Sequence, residues 1–544
     1  MTNKTATLIV SSDDTNLSID DKHRSKVALD YSTILSSNQS MDYLFNSIPD
    51  NIESLPILIA REWYRDSKGI DSHQNNYSIG MILEKRIAIM TSNLIKFYFG
   101  FSNLANKYDS IEVPANYPKY LYDIIEHFKK KIVFIEKQKY SSDVELLFTE
   151  KGIVTKVKVS KYSWFFRMIQ KPFMRFLTNK TLVFPDWTYS KYKHNNYIYQ
   201  NKVNFFKSFY YKNTCKPLDF IRPEVNTEKI NSILSKYDIQ TKDQKSLCKI
   251  INNMIGDEIN NSLAYINQQY SVMLELINYY KPKKVIIPCD GEHTWYNMLF
   301  QILNKLNIDS TTVLDGYLTY LEKEQIRVTE DGKTPLVNNY ATMGSINHKM
   351  VGNIYPKFNR ILIKSPILSH MPNRTSSKEK YDALVMMPIP NPKNPNSRWD
   401  MRNKYVIELV ILLKELRFKK IAIKVKPGAN LNDTNFLINY FKKNNIEDID
   451  FLRGYAYDAI SISKIVIGQL GTTTFESLVM NTPYYIYEPI YCGLSDENVS
   501  NSFTSTRHIS RNINTLSKNI TNSDTIDLPI DQLIDGQEMP LRII

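Results

Sequence analysis

Short apolar strands alternating with amphipathic helices constrain this chain more than any other feature of its sequence. From residue 381 onward the order is YDALVMMPIP, NKYVIELVILLKEL, KKIAIKVKPG, NDTNFLINYFKKN, IDFLRG and KIVIGQLGTTTFESLVMNTPYYIYEP. Strands that are apolar on both faces and separated by helices of 10 or more residues belong to a parallel sheet covered on both sides. The same alternation occurs earlier. Residues 109–136 read as strand (110–113), helix (117–129) and strand (132–136). KKVIIP (283–288), STTVLDG (310–316), NYATMG (339–344) and NRILIKSP (359–366) read as further strands. LPILIAREWYRD and YSIGMILEKRIAIMTSNLIKFYFGF carry apolar residues at helical spacing, and 226–280 reads as helix with a polar face.

The chain has 544 residues, enough for at least two domains with substantial cores. The expected class is α/β, with two Rossmann-like parallel-sheet domains facing a cleft. The expected division is an N-terminal domain over 1–369, a linker at 370–380 (HMPNRTSSKEK), a C-terminal domain over 381–500 and a polar tail over 501–544. The first residues, MTNKTATLIVSSDD, hold no apolar run long enough for a secretory leader, and no run of 18 apolar residues occurs. Cys215, Cys248, Cys289 and Cys492 are far apart and form no CxxC pair. A reducing cytoplasm is the expected location, with no disulfide framework and no zinc site.

The net charge of +13 is concentrated in one place. Residues 151–218 contain 14 Lys/Arg and one acid, Asp186, so 14 − 1 = +13, together with 17 aromatic residues. Within it, residues 158–181 suit a peripheral position on an anionic membrane, aromatics at the headgroup boundary and cations above. An α/β insertion with a local aromatic core and solvated lysines explains the same composition. Nucleic acid is not expected as a partner, because no nucleic-acid-binding motif accompanies the charge.

In such sheets ligands bind beyond the carboxyl ends of the strands. GTTTFES (471–477) opens a helix directly after a strand. Gly471 and Thr472–Thr474 therefore gather backbone N–H groups and hydroxyls where the helix dipole favours a phosphate. The same letters also read as a capping box from Thr473 to Glu476, which needs no ligand. Lys426, at the end of KKIAIKVKPG beside Pro427, is placed to reach a phosphate. Lys424, two residues earlier, reads as the solvated face of an edge strand. The turn after KKVIIP carries Asp290, Glu292 and His293. A carboxylate there suits a general base, while Asp290-Gly291 with Glu292 in a first helical turn also suits a plain turn and dipole partner. Asp448 and Asp450 have the Asp-x-Asp spacing of a divalent-ion pair, but they fall in an acidic turn and are read as solvated, so no metal is expected. The chain has no GxGxxG, GxxxxGK[ST] or HExxH.

GEHTWYNML, KVKPG and GTTTFES together resemble GT-B glycosyltransferases, in particular those of bacterial surface-polysaccharide biosynthesis. The resemblance covers residues 280–495 and extends more weakly to REWYRD and YSIGMILEKR. The same places resemble CMP-sugar-using sialyl- and Kdo transferases. Those enzymes carry an acid-acid-Gly base motif, a His-Pro nucleotide motif and a Ser/Thr pair. Here Cys289-Asp290-Gly291 keeps one acid, Lys426-Pro427 stands for His-Pro, and Thr472-Thr473 fits. The resemblance implies Asp290 as base with Glu292 as substitute, Lys426 and Thr472–Thr474 on the donor phosphates, and Glu476 on the ribose. It implies a nucleotide sugar as co-substrate, a glycan or lipid-linked acceptor, and no separate cofactor. A nucleotide-sugar epimerase and a non-catalytic scaffold are the alternatives with the same shape.

Overall fold

The structure is a computed structural model of the 544-residue chain. It describes residues 4–9, 24–29, 31–37, 40–46, 48–49, 52–66, 77–114, 119–135, 181–183, 222–237, 239, 241–287, 294–313, 337–354, 356–365, 368, 379–388, 394–395, 401–425, 431–494, 496–500 and 502–537. The expected linker 370–380, apart from Glu379 and Lys380, lies outside them, as does the basic-aromatic segment apart from Thr181–Val183.

Among the described residues the strands form three sheets, and every strand pair is parallel. The α/β class is the one expected. The first sheet contains β1 (Thr5–Ile9), β2 (Arg24–Ala28), β3 (Asp42–Tyr43), β4 (Ser110–Pro114) and β5 (Ile132–Ile135), in the order β3-β2-β1-β4-β5. The second contains β6 (Thr181–Val183), β7 (Lys284–Ile287), β8 (Asp309–Val313), β9 (Asn339–Met343) and β10 (Arg360–Ile363), in the order β10-β9-β8-β7-β6. The third contains β11 (Tyr381–Met386), β12 (Ile421–Lys424), β13 (Ile449–Leu452), β14 (Ser463–Gly468), β15 (Tyr484–Tyr487) and β16 (Ile509–Ser510), in the order β13-β12-β11-β14-β15-β16.

The strand orders separate the sheets physically. In chain order the third sheet reads 3-2-1-4-5-6 and the first reads 3-2-1-4-5, so each reverses direction beside its first strand. That is the doubly wound pattern of a Rossmann-like unit, and the reversal opens a crevice at the carboxyl ends. The second sheet is wound in one direction and has no such switch point. The N-terminal half therefore holds two sheets where one domain was expected, because the helices Ile79–Lys107 and Thr241–Tyr280 intervene. These two helices separate the sheets yet join their cores: Leu8, Phe97, Ile255, Tyr270, Val285 and Tyr340 belong to one apolar cluster. Thr181–Val183, inside the basic-aromatic segment, supplies the edge strand β6.

The segment expected as a polar tail is structural through residue 537. It adds β16 to the third sheet, then the helix Ile513–Thr521, and then returns to the second sheet. There the Ser345 N–H donates to Asp535 Oδ1 (2.7 Å) and the Lys364 N–H to Gln537 O (2.9 Å), while Gln537 bridges Ile363 in parallel. Alternating apolar runs made the strands legible; this segment shows no such run, and its pairing comes from tertiary contact.

The helix Thr472–Val479 lies where the second and third sheets meet. Phe475 is fully buried, in one cluster with Ile286 of β7, Val313 of β8, Met343 of β9 and Leu533 of the returning segment. Its ring meets Phe503 at 4.5 Å between centroids. Phe475→Ala should destabilise the chain by roughly 3–5 kcal/mol, the usual cost of emptying a buried aromatic site. Urea unfolding followed by circular dichroism checks this, and a loss below about 1 kcal/mol would remove Phe475 as the contact between the two sheets.

Candidate functional site

β14 and β11 are the strands on either side of the third sheet's reversal, and the GTTTFES turn follows β14 directly. At the strand's last residue, Gly468, a Cβ would lie 2.4 Å from Tyr484 Oη and 2.8 Å from Met386 Cβ. Only glycine lets β14 end so close to its neighbours. Tyr484 Oη then donates to Gln469 O (2.6 Å) and lies 3.4 Å from Thr473 Oγ1.

A buried carboxylate holds the turn from behind. Glu488, just past β15, is 2 % exposed; it accepts from the Leu470 N–H at 2.6 Å and from Gln469 Nε2 at 3.3 Å. Burial pushes its carboxyl from the ordinary 4.5 up to about 7, against the Leu470 and Gln469 hydrogen bonds and the Arg511 charge, which pull it down. Arg511 clamps the following turn: Nη1 donates to Glu488 O (2.8 Å), and Nη2 to Leu494 O (2.8 Å) and Asp496 Oδ1 (2.7 Å). Glu488 was not singled out in the sequence. The available signal was an acid at the end of the apolar strand YYIYEP.

The helix starts two residues earlier than a Thr473–Glu476 capping box requires. Its N-cap is Gly471, and the reciprocal residue is Thr474, whose Oγ1 accepts from the Gly471 N–H (3.3 Å). The Thr474 N–H bonds Gly471 O (2.9 Å). With Thr472 already the first helical residue, Glu476 sits in the second turn, away from the cap, and is 3 % exposed. Thr474 is buried, whereas Gly471, Thr472 and Thr473 are partly open.

Lys424 corrects a second expectation. β12 lies between β11 and β13, not at an edge, and Lys424 is 3 % exposed. The sequence did not show that IDFLRG would pair outside β12. The Lys424 Nζ donates to Val425 O (2.8 Å), and burial lowers its pKa against the pull of the Glu476 and Asp458 carboxylates. A buried ammonium is costly unless carboxylates lie close by. Lys424 and Glu476 thus set opposite charges beneath the crevice floor.

Beyond β13 the chain turns at Gly454 (φ 95°) into the helix Ala456–Ser461. Tyr455 is 37 % exposed, and its ring stacks on Tyr457 with centroids 5.1 Å apart and planes 12° apart. This flat aromatic pair at a strand's carboxyl end was also missed, although GYAYD after an apolar run was the available signal. Asp448 and Asp450 belong to the opposite end. Asp448 has φ 58°, and Asp450 Oδ2 accepts from Tyr381 Oη (2.7 Å) with Lys380 Nζ at 3.9 Å. Among the described residues no cluster of three His, Cys, Asp or Glu could hold a metal ion. Lys426, Asp290, Glu292 and His293 lie outside the described residues.

No protein-family profile matches the chain, and neither does any curated relative. Solved structures do. A Methanocaldococcus jannaschii UDP-GlcNAc 2-epimerase with UDP-GlcNAc and UDP is 12 % identical over 51 % of this chain and 80 % of that one, with a TM-score of 0.33. A putative UDP-N-acetylglucosamine 2-epimerase from Listeria monocytogenes is 10 % identical over 52 % and 74 %, with a TM-score of 0.33. An O-GlcNAc transferase from Thermobaculum terrenum is 10 % identical over 48 % of each chain, with a TM-score of 0.29. At these TM-scores the functional reading rests on the chain's own residues.

Glu488 gives the site a pH signature. A carboxyl whose pKa rises on folding contributes full stability below its unfolded value and loses it as pH climbs through the folded one. The wild-type chain should therefore lose roughly 3 kcal/mol relative to Glu488→Gln between about pH 4.5 and 7. The Gln variant keeps an acceptor for the Leu470 N–H. Urea midpoints across that range, parallel in the two proteins, would show that Glu488 titrates normally.

Proposed function

We propose that the chain is a GT-B-type glycosyltransferase that binds a nucleotide sugar on its third sheet. The observation that carries this reading is the coincidence of three features at one crevice. The strand order reverses between β11 and β14, a helix N-terminus bearing Thr472 and Thr473 opens there, and the buried Lys424 lies on the adjacent strand. A diphosphate needs N–H groups and hydroxyls that donate to its oxygens and a helix N-terminus whose dipole favours negative charge.

In this reading Gly471, Thr472 and Thr473 face the diphosphate and Lys426 adds a cation from the end of β12, while Thr474 holds the cap and the buried Glu476 balances Lys424 instead of reaching the ribose. The Tyr455–Tyr457 pair offers its face to the base. Three strand spacings, about 14 Å, separate β13 from β14, a span suited to a nucleotide lying across the strand ends. Asp290 serves as general base on the acceptor hydroxyl, with Glu292 and His293 beside it in sequence, and helix dipole and cations stabilise the departing phosphate without a catalytic metal. The acceptor is a surface polysaccharide or lipid-linked glycan, and residues 158–181 bring the enzyme to the inner face of the membrane. Among the described residues no helix is long and apolar enough to cross a membrane.

Calorimetric titration with UDP, CMP, GDP and dTDP tests the binding half. One nucleotide should bind, and Thr473→Val should weaken it by about tenfold to a hundredfold, the worth of one hydrogen bond to a charged group. No binding by any of the four would leave the scaffold alternative. Incubation of the matching nucleotide sugars without acceptor tests the chemistry: conversion to an epimer would replace transferase by epimerase. Asp290→Asn should abolish transfer while sparing nucleotide affinity, and unchanged turnover would remove Asp290 as base.

A further inference from the structure

The long helix Thr241–Tyr280 carries a second feature, in the N-terminal half of the chain. Positions 252, 256 and 260, and likewise 253, 257 and 261, follow one another at helical spacing and so share a face. Asn252, Asn253, Asn260 and Asn261 lie along this face and line a groove of about 1270 Å³. Its other walls come from Met90, Asp123 and the segment 222–225.

Three observations mark the groove as built for a ligand. First, Gly256 stands in mid-helix on its floor, and a Cβ there would meet nothing within 4 Å. Glycine destabilises a helix interior relative to alanine, and no neighbour requires it here. Second, Asn252 Oδ1 is buried and accepts no hydrogen bond among the described residues. Buried polar atoms almost always find a partner. Third, Glu258 at the groove is 3 % exposed and fixed in place, with Arg86 Nε at 2.5 Å and Ser262 Oγ donating to it.

The chemistry of the lining selects the ligand. Asp123, Glu224 and Asp257 outnumber Arg222, and Glu258 is already paired with Arg86. In a chain of net charge +13 this groove repels anions, which excludes phosphates and nucleic acid. Asn253 Nδ2 already donates to Asp123 Oδ2 (3.5 Å), and a cation would use the oxygens but leave the amide NH₂ groups of Asn252, Asn260 and Asn261 idle. Asn side chains both donate and accept, as hydroxyl groups do. We infer that the groove binds a neutral, polyhydroxylated saccharide chain. Its volume exceeds that of ordinary small-molecule sites and leaves room for several sugar rings. The inference stands on this groove alone and does not require activity at the third sheet.

Saturation-transfer NMR on the full chain with maltohexaose, cellohexaose and chitohexaose tests it. At least one hexasaccharide should bind. Gly256→Leu, which fills the groove, should abolish the signal, and Asn252→Ala should weaken affinity at least fivefold. Gly256→Ala should raise Tm, since its methyl group enters open space; a lower Tm would overturn the argument from Gly256. An unchanged circular dichroism spectrum and unchanged nucleotide titration in Gly256→Leu separate loss of the groove from loss of the fold. The proposal fails if no hexasaccharide binds, or if the two variants bind as wild type. It also fails if spermine binds in a way that Gly256→Leu blocks, since that defines a cation site.

Discussion

The seat of the helix Thr472–Val479 is the contact on which the arrangement depends. One side of it belongs to the third sheet: Leu470 and Met480, at its two ends, pack with Val466 and Tyr484. The other side presents Phe475 to strands of the second sheet. An element wedged between two sheets cannot shift relative to one without disturbing the other, because close-packed interiors transmit displacement. The open Thr472 and Thr473 thereby acquire a fixed position relative to the carboxyl ends of β7, β8 and β9.

Charge reinforces this seat from inside. Lys424 on β12, Glu476 on the helix and Glu488 behind the turn are all nearly inaccessible to water. Each is expensive by itself, and the arrangement is tolerable because the Glu476 carboxylate and the Lys424 ammonium attract each other and Glu488 receives two hydrogen bonds while drifting toward its neutral form. A core made only of leucine would be cheaper. All three lie at the carboxyl end of the third sheet: Lys424 ends β12, Glu476 is in the helix after β14 and Glu488 follows β15.

Much of this was legible in the sequence, for identifiable reasons. β15 runs from Tyr484 to Tyr487 and β14 from Ser463 to Gly468, close to where their apolar runs placed them, because strands buried on both faces leave an unbroken apolar string. The helix start at Thr472 was equally plain. Lateral order was not. Whether β12 is an edge strand depends on where IDFLRG pairs, and no local pattern encodes that choice, so Lys424 was taken as solvated. The cap was displaced by two residues for a related reason: Thr473-x-x-Glu476 and Gly471-x-x-Thr474 compete in the same seven letters. Burial of Glu476 beside Lys424 resolves the competition, and that is a tertiary fact. Tyr455, Tyr457 and Glu488 were overlooked because an aromatic pair and a strand-end acid are ordinary in sequence and become distinctive only at one end of a sheet.

The return of the chain to Ile363 has a mechanical meaning. The chain leaves the second sheet beyond β10 and comes back at Gln537, which lies beside Ile363 and Lys364. The outgoing and incoming segments are therefore neighbours, not opposite corners. The backbone therefore crosses between the second and third sheets along one edge strand, β10, in both directions. Away from that edge the two sheets are joined by side chains, with the ring of Phe475 packed among Ile286, Val313 and Met343, so apolar contact and backbone secure the same junction from distant points of the sequence.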